Sequence, residues 1–479
     1  MTFYTADLKR ILTAAMAAML CGCTSLTMAP GYDRPASPVA ESFPEVEETE
    51  DVVRIADWRS VIADPVLVGL IETALQNNRD LRVAMLNVDR ARALYRIQRA
   101  DSLPTIAAEG GYLRQRVGEN AAIGVPGAAG GGRTEPIILE QYSAEAGLSA
   151  YELDLFGRVR SLNRQALETY FATEDARRSA EISLIAEVST AYLQLLADRE
   201  RLAIARDTVE SQQSSLSLTR ELVANGIGND LDVQRADTSV LRARADAAAL
   251  EAQIARDENA LRLLVGTAQL PDLNETAIEN VALNEDFADV ASDILLMRPD
   301  VSSAERRLMA ANANIGAARA AFFPRILLTA SAGTTSTELS NLFSGGTGVW
   351  SFAPSVSLPI FTGGRNLAQL KGAKIDRDIA VSEYERAVQA AFRDVADALA
   401  TRRTIGERLE ATEGLAAASE RTFELADARF RNGIDDYFSV LDAQRADYAT
   451  RQELVLVKLE EAVNVINLYR AFGGFPVVE

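Results

Sequence analysis

Asp154-Leu-Phe-Gly-Arg158, followed further on by Asn225-Gly-Ile227, is a pattern that the chain uses twice. It returns in the second half as Pro359-Ile-Phe-Thr-Gly-Gly-Arg365 followed by Asn432-Gly-Ile434. In each copy the two motifs are separated by a long stretch without proline. Such a repeat predicts two copies of one unit, each with a medium helix, a strand pair, a very long helix and a returning helix.

Four segments alternate between apolar and polar residues, as strands with two different faces do. In the last of them Trp350, Phe352 and Val356 alternate with Ser351 and Ser355. The length and the dyad pattern suit the strands of an outer-membrane barrel, although a half-buried sheet in a soluble domain would show the same alternation. Closed membrane barrels need about eight strands or more, so four strands predict that several copies pool their strands.

The stretches 158–224 and 366–431 contain no proline, and each is predicted to be one helix. Roughly 65 residues at about 1.5 Å each make a helix of about 100 Å, which no globular core requires. Apolar residues recur at spacings of three and four, so we expect coiled-coil-like packing. Asn-Gly at 225–226 and 432–433 suits a tight reversal with positive φ at the glycine.

The N-terminus has the pattern of a lipoprotein signal. Lys9 and Arg10 precede the apolar stretch 11–20, which is too short to span a bilayer, and Leu20-Cys-Gly-Cys23 follows. This pattern predicts Cys23 as the first mature residue, carrying acyl chains that anchor it in lipid. An ordinary signal peptide that happens to contain cysteine is the alternative.

Composition excludes several kinds of chemistry. The chain has no histidine and two cysteines, Cys21 near the end of the predicted signal peptide and Cys23 at the predicted acylation position. A Ser-His-Asp triad is therefore impossible, no phosphate-binding glycine motif occurs, and we expect no enzyme activity, no metal site and no cofactor. The formal net charge of −19 argues against nucleic acid as a partner. No stretch beyond the signal is apolar enough for a transmembrane helix, so a membrane-spanning part would have to be a closed barrel.

These patterns divide the chain into four parts. We expect a signal peptide at 1–22, an extended tether at 23–57, a first repeat at 58–285 and a second repeat at 286–479. Asp64-Pro65 is the predicted start of a helix, with Asp64 as its N-cap. The strands are expected near 103–117, 137–153, 324–335 and 350–361, and the returning helices near 230–266 and 437–472.

Several motifs in order make the chain resemble the TolC-like outer-membrane efflux family, in its lipoprotein branch. They are Arg298-Pro-Asp-Val301, Ala304-Glu-Arg-Arg-Leu308, Ala313-Asn-Ile-Gly-Ala-Ala-Arg-Ala-Ala-Phe-Phe-Pro324, Leu358-Pro-Ile-Phe361 and Val440-Leu-Asp-Ala-Gln444. The resemblance implies a mostly α protein with a β-barrel part. A trimeric 12-stranded outer-membrane barrel, with four strands from each chain, would continue into a long periplasmic α-helical barrel.

The same resemblance implies a function and partners. The chain would be the passive export duct of a tripartite efflux system for drugs or other small molecules. It would form a homotrimer in outer-membrane lipid, dock on a periplasmic adaptor, and serve an inner-membrane transporter of the resistance-nodulation-division type. A duct for another cargo, such as a secreted protein or a metal ion, is one alternative, and a non-transporting coiled-coil envelope lipoprotein is another.

The resemblance also assigns site residues. The adaptor would dock at two tips, formed by Asn225, Gly226 and Ile227 and by Asn432, Gly433 and Ile434. The family places gate acids six and nine positions after the tip glycine of the second repeat. Asp442 fits this motif, whereas Ser439 departs from it, and Asp232 stands six positions after Gly226 in the first repeat.

Overall fold

The computed structural model describes residues 27–40, 43, 58–117, 137–271, 273, 277–284 and 292–474. The predicted signal peptide, Cys23 and much of the predicted tether therefore lie outside the described residues. Residues 27–40 contain no helix or strand. Among the described residues, no helix combines the length and the apolar character needed to cross a membrane.

Each half of the chain contains a helix, two strands and two further helices in the same order, and two shorter helices precede this set in the first half. The first half contains α1 (Trp58–Val61), α2 (Pro65–Asn77), α3 (Arg79–Ala100), β1 (Ile106–Val117), β2 (Ile137–Leu153), α4 (Arg158–Ala224) and α5 (Asp230–Val265). The second half contains α6 (Pro299–Ala320), β3 (Arg325–Ser336), β4 (Gly348–Ser357), α7 (Arg365–Arg431) and α8 (Tyr437–Ala471). Short 3-10 turns lie at Ile278–Asn280, Ser292–Met297 and Leu339–Asn341. The predicted fold class, mostly helical with a four-stranded sheet built from two repeats, is confirmed.

The two longest helices owe their length to sequence. α4 and α7 each span 67 residues, which makes each about 100 Å long. Neither contains proline, so no residue removes a main-chain hydrogen bond from the interior of the helix.

Polar caps fix where the smaller helices begin. The side chain of Asp64 accepts a hydrogen bond from the amide of Leu67 at 2.7 Å, and Pro65 is the first residue of α2. This confirms the cap predicted from Asp64-Pro65. Asn78 accepts a hydrogen bond from the amide of Leu81 at 2.9 Å and donates one to the carbonyl of Leu264 at 2.8 Å. One side chain thus starts α3 and ties it to the end of α5.

The strands form one antiparallel sheet in the order β1-β2-β3-β4. The two halves of the chain meet in the β2–β3 ladder, where Tyr142 pairs with Ser336 and Leu153 with Ile326. A register shift interrupts this ladder between Leu148 and Tyr151. β4 ends at Ser357, earlier than the predicted 361, in keeping with Pro359, which cannot donate to a ladder.

Large apolar side chains on β4 are exposed in the single chain. Trp350, Phe352 and Val356 share one face of the strand, and all three are more than half exposed. Ser351 and Ser355 alternate with them and take the opposite face. An apolar face opposite a polar face is the arrangement found in strands that separate lipid from water.

Arg298 connects three helices at the start of α6. The residue is 6% exposed, and its side chain donates hydrogen bonds to the carbonyl of Ala471 at 2.6 Å and to that of Ala391 at 3.4 Å. Its guanidinium also pairs with Asp300 at 2.8 Å and with Asp394 at 3.4 Å. The side chain therefore satisfies main-chain acceptors of α7 and α8 while neutralising two carboxylates.

The chain divides into two compact units, and each unit draws on both repeats. The first comprises 1–34, 90–170 and 306–381, and it contains the whole sheet. The second comprises 35–89, 171–305 and 382–479, and it contains the C-terminal parts of α4 and α7 together with the whole of α5 and α8.

Candidate functional site at the helical tips

The first tip is the turn between α4 and α5. The amide of Ile227 donates to the carbonyl of Leu222 at 2.9 Å, and the amide of Gly226 donates to that of Val223 at 3.0 Å. Gly226 has a φ of 74°, as a left-handed helix terminus requires. Asn229 then caps α5 by accepting a hydrogen bond from the amide of Asp232 at 3.0 Å.

The second tip, between α7 and α8, repeats this geometry. The amide of Ile434 donates to the carbonyl of Arg429 at 2.9 Å, and that of Gly433 donates to Phe430 at 2.8 Å. Gly433 has a φ of 71°. Asp436 caps α8 by accepting from the amide of Ser439 at 3.1 Å. The positive φ predicted at both tip glycines is confirmed.

The tip asparagines play the same part in both turns. Asn225 donates a side-chain hydrogen bond to the carbonyl of Glu221 at 2.9 Å, and Asn432 donates one to that of Ala428 at 2.7 Å. Each of these carbonyls also accepts the main-chain amide of the same asparagine, at 3.1 Å in the first turn and 3.2 Å in the second, so the side chain adds a second hydrogen bond to the last turn of the helix. Their role in the structure is to close the two long helices.

The sixth and ninth positions after the tip glycines differ between the repeats. The sixth is Asp232 in the first repeat and Ser439 in the second, whereas the ninth is Arg235 and Asp442. Asp232 forms an ion pair with Arg235 at 3.4 Å. The hydroxyl of Ser439 donates to Asp436 at 2.9 Å, so Ser439 completes the cap of α8.

Asp442 differs from Asp232 and Ser439 in its surroundings. Its side chain is exposed on α8, and no hydrogen bond or ion pair to it occurs within the described part of the chain. Its neighbours Leu441 and Ala443 are buried and hold this turn of α8 in place. Of the three predicted gate residues, Asp442 is the one whose carboxylate is exposed and has no ion-pair partner among the described residues.

Two contacts at the tips involve residues that the sequence motifs did not single out. Arg429 forms a forked ion pair with Asp435 across the second turn, at 2.6 Å and 2.9 Å. The hydrogen bond from Arg429 holds the pKa of Asp435 below its usual value. The guanidinium of Arg235 lies 5.7 Å from the ring centre of Phe438 and so links α5 to α8. Arg429 and Asp435 carry opposite charges on either side of Asn432-Gly433, and this is the sequence feature from which their contact could have been predicted.

A small apolar core holds the two tips together. Its buried members come from α4, α5 and α8, with Phe423 and Phe430 of α7 packed against them; they are Leu216, Ala236, Val240, Tyr437, Val440 and Leu441. The rings of Phe430 and Tyr437 lie 5.6 Å apart, and burial raises the pKa of the Tyr437 hydroxyl. The two turns are thus anchored on one four-helix core.

Outside this core, equivalent positions of both tips expose apolar side chains. Ile227 is 74% exposed in the first turn and Ile434 is 63% exposed in the second. Four residues further along, Leu231 and Phe438 are also more than half exposed. The two turns therefore present apolar side chains to solvent at corresponding positions.

Ion pairs spaced by seven or fourteen residues join α4 to α5 along the helices that lead to the first tip. They connect Arg199 to Glu258 at 3.1 Å, Arg206 to Glu251 at 2.8 Å and Arg220 to Asp237 at 3.3 Å. In the second repeat an ion pair between Arg408 and Glu460 at 2.6 Å joins α7 to α8. The regular spacing shows the seam of a two-helix coiled coil.

A carboxyl pair lies in the same seam. Asp198 is 1% exposed and accepts hydrogen bonds from Gln194 at 2.9 Å and from Arg201 at 2.7 Å. Asp257 of α5 accepts one from Gln253 at 2.7 Å, while its second oxygen is buried and has no hydrogen-bond partner among the described atoms. Burial raises the pKa of Asp257, and the adjacent charge of Asp198 adds to this effect against the hydrogen bond from Gln253.

The tips offer no evident centre for chemistry. Among the described residues, no group of three or more acidic, histidine or cysteine side chains could hold a metal ion.

Comparison with known proteins bears directly on this arrangement. A family model described as outer membrane efflux protein matches residues 70–267 and 290–474. The toluene efflux pump outer membrane protein TtgC of Pseudomonas putida is 44% identical over 473 residues, covering 97% of this chain and 96% of that protein. The outer membrane protein OprJ of Pseudomonas aeruginosa is 41% identical over 466 residues, covering 96% and 95%.

Solved structures have the same fold. A membrane protein from Pseudomonas aeruginosa superposes with a TM-score of 0.87 at 41% identity, covering 94% of this chain and 98% of the other. The open state of the Neisseria gonorrhoeae MtrE outer membrane channel superposes with a TM-score of 0.84 at 37% identity, covering 94% and 99%. The resemblance found in the sequence is thereby confirmed. The chain belongs to the outer membrane efflux protein family and is an outer-membrane component of an efflux system.

Proposed function

We propose that the chain is the passive export duct of a tripartite system for drugs or other small molecules, and that it catalyses no reaction. The observation that carries this proposal is the pair of matched tips at the ends of two helices of about 100 Å. Relatives named for toluene and antibiotic efflux support small apolar molecules as the cargo. Their names favour this reading over the two alternatives, a duct for a secreted protein or metal ion and a non-transporting scaffold.

The duct would be a homotrimer in outer-membrane lipid. β1 and β4 are the edge strands of the four-stranded sheet, and open edges are not tolerated in lipid. Pairing β1 of one copy with β4 of the next copy would close a barrel of 12 strands after three copies. The exposed apolar face of β4 would then face lipid.

The tips would dock on a periplasmic adaptor, which connects the duct to an inner-membrane transporter of the resistance-nodulation-division type. Asn225, Gly226 and Ile227 form one docking turn, and Asn432, Gly433 and Ile434 form the other. The exposed side chains of Ile227 and Ile434 supply apolar contact area, and the asparagines and glycines shape the turns.

The gate would be a ring of Asp442 carboxylates, one from each copy. Like charges around a narrow water-filled throat raise the local concentration of cations and oppose anions. Ser439 and Asp232 would not contribute free charges to the gate. The hydroxyl of Ser439 completes the cap of α8, and the carboxylate of Asp232 is paired with Arg235. Both would support the geometry of the turns that carry the ring.

The N-terminal anchor would be Cys23, acylated at the end of the signal sequence. Acyl chains on this residue would hold the chain in the outer membrane independently of the barrel.

Single-channel recording of purified trimers tests the duct and its gate together. We expect a conducting pore that prefers cations, and Asp442→Asn should weaken this preference while the yield of trimer stays normal. Glu453→Gln is the matched control, because it removes an exposed acid from the same helix three turns from Asp442. Absence of conductance would contradict the duct, whereas an unaltered preference in Asp442→Asn would place the gate elsewhere.

A further inference from the structure

The predicted tether makes specific contacts with α6 where the structure describes it. Asn312 donates a side-chain hydrogen bond to the carbonyl of Pro30 at 3.0 Å. Arg319 donates one to the carbonyl of Met28 at 3.1 Å. Both bonds reach main-chain oxygens, so they recognise an extended backbone whatever side chains it carries. Asn312 is 8% exposed, and this contact removes its amide from water.

Gly316 lies between these two donors and leaves room for the tether. A Cβ placed on it would lie 2.7 Å from the backbone nitrogen of Ala29 and 2.5 Å from the hydroxyl of Ser161. Ser161 is itself held by a hydrogen bond to the carbonyl of Gly157 at 2.6 Å. No side chain larger than hydrogen fits while residue 29 stays in place.

The glycine is there for space and not for backbone conformation. Gly316 is an interior residue of α6 and does not have a positive φ. Glycine in a helix interior costs about 1 kcal/mol relative to alanine, so this position gives up helix stability. Close approach of another segment is the physical reason for such a residue.

Asn312, Gly316 and Arg319 follow each other at spacings of four and three, which places them on one face of α6. We propose that this face is a docking track for the N-terminal tether, and that it fixes the point at which the chain's membrane anchor leaves the folded protein. Cys23 precedes Met28 by five residues, so the anchor would stay within about 17 Å of the track. The claim that the track positions the membrane anchor rests on the proposed acylation of Cys23. The docking of the tether on α6 does not depend on it.

Hydrogen exchange measured by mass spectrometry on full-length trimers tests the track. Gly316→Val fills the space that Ala29 occupies, and the double variant Asn312→Leu, Arg319→Met removes both donors while keeping side chains of similar length. In each, we expect the peptide covering 27–34 to exchange on the order of tenfold faster, because the segment opens locally. Gly372→Val is the matched control, since this helical glycine of α7 has nothing within 4 Å of its Cβ position.

The outcomes separate the track from the rest of the proposed function. Faster exchange in the track variants, with unaltered exchange in Gly372→Val, supports docking. Unaltered exchange in both track variants overturns it, and the double variant decides if Gly316→Val fails to assemble. Labelled palmitate should be incorporated equally in all variants, and single-channel conductance should be preserved. Loss of the palmitate label would count against the proposed acylation of Cys23, and loss of conductance would count against the proposed duct.

Discussion

Gly433 is the residue at which a single substitution should separate docking from assembly. Its φ of 71° lies in the left-handed region, and no atom lies within 4 Å of the position that a Cβ would take. The cost of Gly433→Val therefore comes from the backbone alone and amounts to about 1–2 kcal/mol. Since 1.4 kcal/mol is a factor of ten, the turn should open roughly tenfold more often.

The hydrogen bonds at risk are those that close the turn. They run from the amide of Gly433 to Phe430 at 2.8 Å and from that of Ile434 to Arg429 at 2.9 Å. The tip core, which includes Tyr437 and Val440, does not involve the side chain at position 433. We expect faster hydrogen exchange at the turn, reduced adaptor-dependent dye efflux, and a normal yield of trimer.

Two matched variants sharpen this test. Gly433→Asn should keep most of the efflux, because asparagine tolerates the left-handed conformation. Gly414→Val changes a helical glycine of α7 that also has open space around it but no positive φ, so the turn should be unaffected. Wild-type exchange and wild-type efflux in Gly433→Val would refute the argument that this turn is the docking element.

Three further predictions concern other parts of the molecule. Arg298→Ala should destabilise the helical part by about 2–4 kcal/mol, somewhat less than the loss of a fully buried pair, because the partner carboxylates are partly exposed. Arg298→Lys should cost less, and thermal unfolding of solubilised trimers would measure both. Because the pKa of Asp257 is raised, its contribution to the stability of the α4–α5 seam is complete below the ordinary carboxyl pKa of 3.8 and is lost as pH rises through the raised value. Hydrogen exchange of residues 253–258 should therefore become faster with pH by more than the intrinsic exchange rate does. Asp257→Asn should abolish that excess, and its persistence would point to another group. Cys23→Ala should abolish labelling by palmitate while trimers still form, and retained label would show that another residue is acylated.

Much of the fold could be predicted because its signals are local. A glycine after asparagine at positions 226 and 433 predicts positive φ, and the absence of proline from 158–224 permits one uninterrupted helix. Alternation at Trp350, Phe352 and Val356 predicts a two-faced strand. These properties depend on neighbours along the chain, so an amino-acid sequence displays them directly.

The candidate site was less predictable. The family motif placed Ser439 and Asp442 together as gate positions, yet the structure gives them different surroundings. The hydroxyl of Ser439 turns back to Asp436, whereas Asp442 faces solvent from a turn held by buried neighbours. The ion pair between Arg429 and Asp435 was not predicted, because two charges six residues apart meet only when the chain reverses between them.

By itself, the sequence determined the repeat, the long helices, the turns and the four strands, since periodicity and backbone conformation arise from residues close in the chain. Tertiary structure alone decided why Arg298 is buried and why Gly316 is a glycine. The partners of Arg298 come from α6, α7 and α8, and the space beside Gly316 is taken by Ala29, which lies far away in sequence. Such contacts depend on which segments meet in space, and no local pattern of residues encodes that.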